Sequence, residues 1–176
     1  MEFPTAPPPT NQSYWVVESE LAAGAYPGSL DPTDDMTVRR LLEAGVSAFV
    51  NLTEDLDPSS TDATLNRYDG MVGESALIMR HPITDLDVPE VGGMIDTLDS
   101  VDRLLGEGHT VYVHCWGGIG RTGMVVGCWL VRHSLASPAD VLDVLARLRR
   151  SDRGAGRRRS PETAEQREFV ETWLSR

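Results

Sequence analysis

The sequence predicts one α/β domain, a central and mainly parallel sheet of about five strands with helices on both faces. Three observations predict it. Short β-prone runs alternate with stretches of helical periodicity, the pattern left by strands joined through crossover helices. The 176 residues supply one well-buried core but would leave two domains poorly packed. Hydrophobic residues at 40% and charged ones at 24% are ordinary for a globular chain, which sets aside disordered and fibrous classes.

In chain order, residues 1–13 form a Pro-rich arm, because the run from Pro4 to Pro9 cannot enter regular hydrogen-bonded structure. The domain then spans 14–176. Tyr14–Val17 and Leu21–Tyr26 read as edge strands closed by the Pro27-Gly28 turn. Asp31 offers an N-cap and Pro32 a first helical position for a helix with Met36, Leu41 and Leu42 inward, stopped by Gly45. Val46–Leu52 is a buried strand. The stretch 55–74 is polar and aperiodic, a long loop with room for a short helix and no readable role. Ala76–Met79 is a further strand, expected beside the strand at 110–113, and a proline-bounded loop from His81 to Pro89 follows it. A helix beginning near Pro89-Glu90 carries Met94, Ile95, Leu98, Val101, Leu104 and Leu105 on one face and closes at Gly106 and Gly108. Thr110–Val113 is a short β-branched strand, and Met124–Val131 a buried helix. Ser137-Pro138 and Ser160-Pro161 are expected to cap two last helices, the second with Phe169, Val170, Trp173 and Leu174 inward.

The net charge of −11 is unevenly spread. Residues 1–114 carry 20 acidic and 5 basic side chains and residues 115–176 carry 7 and 11, so anion-binding capacity sits in the last third. The acidic remainder, without aromatic interleaving, argues against a nucleic-acid partner. All sixteen basic residues are arginines, a bias best read as one of coding. Met1–Thr10 has neither a basic region nor an apolar run, and no segment is apolar enough to span a bilayer; a cytoplasmic protein with no membrane partner is the expectation. Two cysteines, Cys115 and Cys128, are too few for a disulfide framework and lack the spacing of a zinc site.

The segment that carries chemistry runs from His114 to Gly123, between a strand and a helix. At such a turn the N–H groups of a Gly-rich loop converge with the unsatisfied first turn of the helix, and a phosphate can be cradled by main chain alone. Trp116, Gly117, Gly118, Ile119 and Gly120 would supply that cradle, the three glycines through close approach and positive φ. The same donors would favour the thiolate of Cys115 and make it a nucleophile. Arg121 can grip two phosphoryl oxygens and hold phosphorus in line with sulfur. Thr122 could donate its hydroxyl to sulfur when the thiolate leaves, and His114 would fix the loop from behind it. A leaving oxygen also needs a proton. Asp85, in the proline-bounded loop, is the candidate acid and Asp87 its rival. Cys128, among Val125, Val126, Trp129 and Leu130, reads as a core residue; His81, His109 and His133 have no ligand spacing, so no metal is expected.

This segment resembles the signature of the protein tyrosine and dual-specificity phosphatases, His-Cys-x5-Arg-Ser/Thr-Gly, which His114 to Gly123 matches in full. The similarity extends from Ala25-Tyr26-Pro27-Gly28 through His81-Pro82-Ile83-Thr84-Asp85 to the Gln166 segment, most like compact members similar to kinase-associated phosphatase. The resemblance implies a tyrosine-phosphatase-like fold, a cysteinyl-phosphate intermediate and no metal or organic cofactor. It favours Asp85 over Asp87 as the acid, through Pro-Ile-x-Asp, and raises Gln166 as a residue that positions the hydrolytic water. A phosphotyrosine or dual-specificity phosphatase acting on phosphorylated proteins or peptides is the leading expectation. The alternatives are a phosphoinositide or inositol-phosphate phosphatase, disfavoured by a loop without cations, and a phosphate-binding pseudophosphatase, disfavoured because Cys115, Arg121 and the acid are all present. The run Arg147, Arg149, Arg150, Arg153, Arg157, Arg158, Arg159 is either a solvated helix end with a flexible loop or, near Arg153–Arg159, a second anion site.

Overall fold

The computed structural model describes residues 2–28, 34–56 and 58–173. Five strands, β1 (Ser13–Val17), β2 (Leu21–Gly24), β3 (Val46–Asn51), β4 (Leu77–Arg80) and β5 (Thr110–His114), form one sheet in the order β1-β2-β5-β3-β4. Only the β1–β2 pair is antiparallel. The helices are α1 (Met36–Glu43), α2 (Asp69–Val72), α3 (Val91–Gly106), α4 (Arg121–Arg132), α5 (Val141–Leu148) and α6 (Ala164–Glu171). None of the helices among the described residues is long and apolar enough to cross a membrane.

The sheet separates two apolar clusters, and the two-residue period of β5 assigns its side chains to them. Val111 and Val113, followed by Cys115, join the cluster that holds the buried faces of α3, α4 and α5. Tyr112 joins Phe49, Val38, Leu41 and Tyr68 on the side of α1 and α2. With helices on both faces every central strand is covered, which is why β5 carries almost no polar side chain before His114. The parallel-sheet expectation therefore holds.

Several expectations need correcting. β1 and β4 are the edges, and β2 lies inside the sheet between β1 and β5. β4 pairs with β3, so β3 stands between it and the strand of Cys115. α4 starts already at Arg121 rather than near Met124. Asp140 and Thr163, rather than Ser137 and Ser160, stand at the N-cap positions of the last two helices; Thr163 caps with its side chain, whereas the Asp140 carboxylate accepts from Ser137. Thr163 and Gln166 form a reciprocal capping box, which satisfies two backbone N–H groups at once. The 55–74 stretch holds a 3-10 turn at Thr61–Thr64 as well as α2. The Asp31 cap, Pro32 and Leu174 lie outside the described residues. The arm is laid against the domain: Trp15 Nε1 donates to the Pro7 carbonyl at 3.0 Å, the amides of Thr5 and Ala6 donate to Glu18, and the Arg147 guanidinium sits 3.8 Å from the centre of the Phe3 ring. Order therefore begins upstream of Tyr14.

Candidate active site

β5 ends at His114, and the chain passes through Cys115–Gly120 directly into α4. Gly118 has φ +67, and a Cβ there would stand 2.4 Å from the backbone of Gly24; only glycine fits. Gly120 keeps an ordinary φ of −74, but a Cβ would meet the Gln166 amide at 2.8 Å. Gly117 has room for a side chain, contrary to the expectation that all three loop glycines are sterically required. Cys115, Trp116, Gly117, Ile119, Gly120, Arg121 and Asp85 line one pocket of about 270 Å³, together with Arg158 and Glu162. Gly118 does not line it, being turned against Gly24. Cys115 is 3% exposed, and the indole of Trp116 is largely exposed.

Arg121 is almost fully buried, so its charge must be matched. Asp62, fully buried in the 3-10 turn, takes both ends of the fork, with Nη1 at 2.5 Å and Nη2 at 3.2 Å. The Ile83 carbonyl accepts from Nη1 at 3.3 Å, and Asp85 Oδ1 lies 3.1 Å from Nη2. Burial alone would weaken the guanidinium's hold on its proton, but the carboxylate partners prevail and push its pKa up, so it stays charged. Its Nε is buried with no partner among the described residues, and so is Thr122 Oγ1. Asp62 spans the Nη1–Nη2 end, so the Nε–Nη2 edge, with Nε unpartnered, is the one left for an anion.

Asp85 reaches Arg121 although β4 does not neighbour β5. After β4 the chain crosses the end of β3, the His81 amide bonding to the Asn51 carbonyl and the Ile83 amide to the Leu52 carbonyl. The Leu52 amide itself bonds to the His114 carbonyl, so loop and cysteine strand share one frame. Asp87 does not line the pocket; its carboxylate accepts from the Val88 amide. Gln166 is fully buried: its Oε1 accepts from the amides of Glu162 and Thr163, and its Nε2 donates to the Asp87 carbonyl at 3.0 Å. It ties α6 to the loop that carries Asp85 and Asp87.

His114 is fully buried. Its Nδ1 faces the Cys115 carbonyl at 3.2 Å; a carbonyl only accepts, so the proton is on Nδ1, and Nε2 accepts from the Tyr68 hydroxyl at 2.7 Å. Burial pushes its pKa down from the ordinary 6.5 to about 3. With a depressed value, the full contribution to stability is present above pH 6.5 and is lost as pH falls toward 3, because there the unfolded chain binds a proton that the folded ring refuses. The expected loss is on the order of 4 kcal/mol. Urea unfolding of wild type and His114→Asn between pH 7.5 and 4 should show a shallower pH slope in the variant. Equal slopes would mean that the folded ring protonates.

Sequence reasoning missed Asp62 and Tyr68, which sit in the aperiodic 55–74 stretch. Cys128 is fully buried in α4, where burial pushes its thiol pKa well up, in keeping with a core role. Arg149 is buried too, contrary to a solvated helix end: it donates to the carbonyls of Arg158 and Ala155 at 2.8 and 2.9 Å.

A mainly parallel sheet whose middle strand delivers a His-Cys-x5-Arg-Thr-Gly loop to a helix N-terminus defines the tyrosine and dual-specificity class of phosphatases. More narrowly, residues 23–135 match the family model for Tc-R-P, the DSP-PTPase phosphatase of polymorphic toxin systems, and the chain belongs to that family. A provisionally named tyrosine phosphatase, 067L of Invertebrate iridescent virus 3, is 32% identical over 132 residues, 73% of this chain and 49% of that protein; the chain spans about half of that relative's length. Among solved structures, Tk-PTP in the active form is 26% identical with a TM-score of 0.63 over 89% of this chain and 92% of its own. Kinase associated phosphatase, with its catalytic cysteine replaced by serine, shares the fold at 22% identity and a TM-score of 0.67, over 85% and 83% of the two chains. The resemblance in the signature segment thus extends to the architecture.

Proposed function

We propose that the chain hydrolyses phosphate monoesters of phosphorylated proteins in two displacements through a cysteinyl-phosphate on Cys115. The observation that carries this reading is the convergence of Cys115, Arg121 and Asp85 on one pocket at the start of α4. The phosphoryl dianion takes the open Nε–Nη2 edge of Arg121 and displaces Asp85 from Nη2. Freed from the guanidinium, Asp85 takes up a proton from solvent; as Cys115 thiolate sulfur bonds to phosphorus, the phosphorus–oxygen bond of the ester breaks and Asp85 gives that proton to the leaving oxygen. In the second step Asp85 accepts a proton from the attacking water, the sulfur–phosphorus bond breaks, and the otherwise unpartnered Thr122 hydroxyl donates to the departing thiolate. Charge building on the equatorial oxygens strengthens the Arg121 contact. Between Trp116 and Gly120 the loop carries no cation to meet a second phosphate on the same ring, which favours phosphoprotein over phosphoinositide.

Turnover of an aryl phosphate in EDTA tests the reading. Wild type should turn over, and Asp85→Asn should lose about 10²–10⁴-fold in kcat on a poor alkyl leaving group, less on an activated aryl one. Asp87→Asn should stay near wild type. A loss confined to Asp87→Asn would move the acid, and wild-type inactivity would leave only phosphate binding.

A further inference from the structure

The reaction pocket continues past its rim. It shares Trp116, Gly117, Ile119 and Arg158 with a larger cleft of about 330 Å³, which Tyr26 and Leu65 also line. Arg158 and the turn at Asp152, Gly154 and Ala155 are common to this cleft and to a third hollow of about 350 Å³, whose remaining lining is Arg150, Arg153 and Arg157. Arg158 lines all three.

The turn that presents these arginines is held from two sides. Inside, Arg149 clamps the carbonyls of Ala155 and Arg158. Outside, the Asn11 carbonyl of the arm accepts from the amides of Arg153 and Gly154 at 2.9 and 3.2 Å. Asp152, the acid of the third hollow, is buried and accepts from the amides of Gly154 and Ala155, so its charge is largely matched at home. Arg150, Arg153 and Arg157 are exposed, and their side chains make no hydrogen bond or ion pair among the described residues. Arg158 is paired with Glu162 at 2.7 Å on the surface, a solvent-screened bond that is readily exchanged. On a chain of net charge −11, three unmatched cations on an anchored turn form a local field of the opposite sign.

We infer that the three hollows are one substrate groove that selects a phosphoprotein segment with an acidic or phosphorylated residue beside the scissile phosphoryl group. This rests on the phosphatase reading for the first pocket. The scissile group occupies the Cys115 pocket, a flanking side chain packs on Tyr26, Leu65 and Trp116, and the second anion meets Arg150, Arg153 and Arg157. An inositol polyphosphate would need several cations inside the first pocket; here only Arg158, paired with Glu162, joins Arg121 there, and Arg150, Arg153 and Arg157 lie across a cleft that an extended peptide spans.

The test is fluorescence anisotropy with the Cys115→Ser chain, which binds without turning over. The probes are a phosphotyrosine peptide with neutral flanks, the same peptide with Glu and phosphoserine flanks, and vesicles containing phosphatidylinositol bisphosphate. At low salt the acidic peptide should bind about tenfold more tightly than the neutral one. Arg153→Glu/Arg157→Glu should abolish that preference; both side chains are exposed, so folding is not at stake. Equal affinity for the two peptides, a preference that survives in the double variant, or vesicle binding without peptide preference would each overturn the inference. Failure of wild-type aryl phosphate turnover would remove the hydrolase reading and leave this binding result standing.

Discussion

Replacing Cys115 by serine is expected to lower aryl phosphate turnover at least about 10⁴-fold while phosphate binding persists. Oxygen replaces sulfur with little change in shape, so the loop and the Arg121 fork remain. A serine hydroxyl, unlike a thiolate, needs a general base to become a useful nucleophile. The adjacent imidazole cannot serve, since His114 commits Nδ1 to the Cys115 carbonyl and Nε2 to Tyr68. Rapid-quench kinetics should show no burst of released phenol and no phosphoenzyme. A variant that keeps more than about one-hundredth of wild-type kcat would refute covalent catalysis at this position.

The second large effect is expected at Asp62, a residue in a loop that shows no motif. Asp62→Ala leaves Arg121 buried with only the Ile83 carbonyl and the one-third-exposed Asp85 as described partners. Breaking one side of a buried pair costs about 3–5 kcal/mol, because the remaining charge stays out of water without compensation. The fork also loses the contact that sets its angle, so kcat/KM should fall about 10²-fold even in the folded fraction. Asp62→Asn, which retains one acceptor, should lie between the two. Urea unfolding with and without inorganic phosphate separates positioning from stability. Phosphate should stabilise Asp62→Ala more than wild type, since the anion re-pairs the orphaned guanidinium. A destabilisation below about 1 kcal/mol would show that Arg121 does not depend on Asp62.

How much of this was legible follows from how far apart the partners lie. Thr163-Ala164-Glu165-Gln166 is a readable capping signature within four residues, yet the nearby Ser160-Pro161 reads as the stronger start signal. Ser160 serves elsewhere, its hydroxyl donating to the Ile119 carbonyl at 2.7 Å. The arginine run looks uniform along the chain, but the end of α5 turns Arg149 inward and Arg147 and Arg150 outward. The place of β4 in the sheet was not readable, because the order of parallel strands depends on which crossover packs where.

By itself the sequence determined the strand and the glycine loop between Thr110 and Gly120 and the helix that follows, though not the residue at which that helix begins. The geometry of such a segment is set by bonds and sterics among neighbours, so Cys115 and Arg121 are placed by the chain that joins them. Only the tertiary structure decided that Asp62 holds Arg121, that the acid loop crosses β3 to bring Asp85 to the same guanidinium, and that Gln166 braces that loop. Those contacts join residues 59, 36 and 79 positions apart. At such separations chain entropy makes no one pairing favourable until the two-sided sheet has packed.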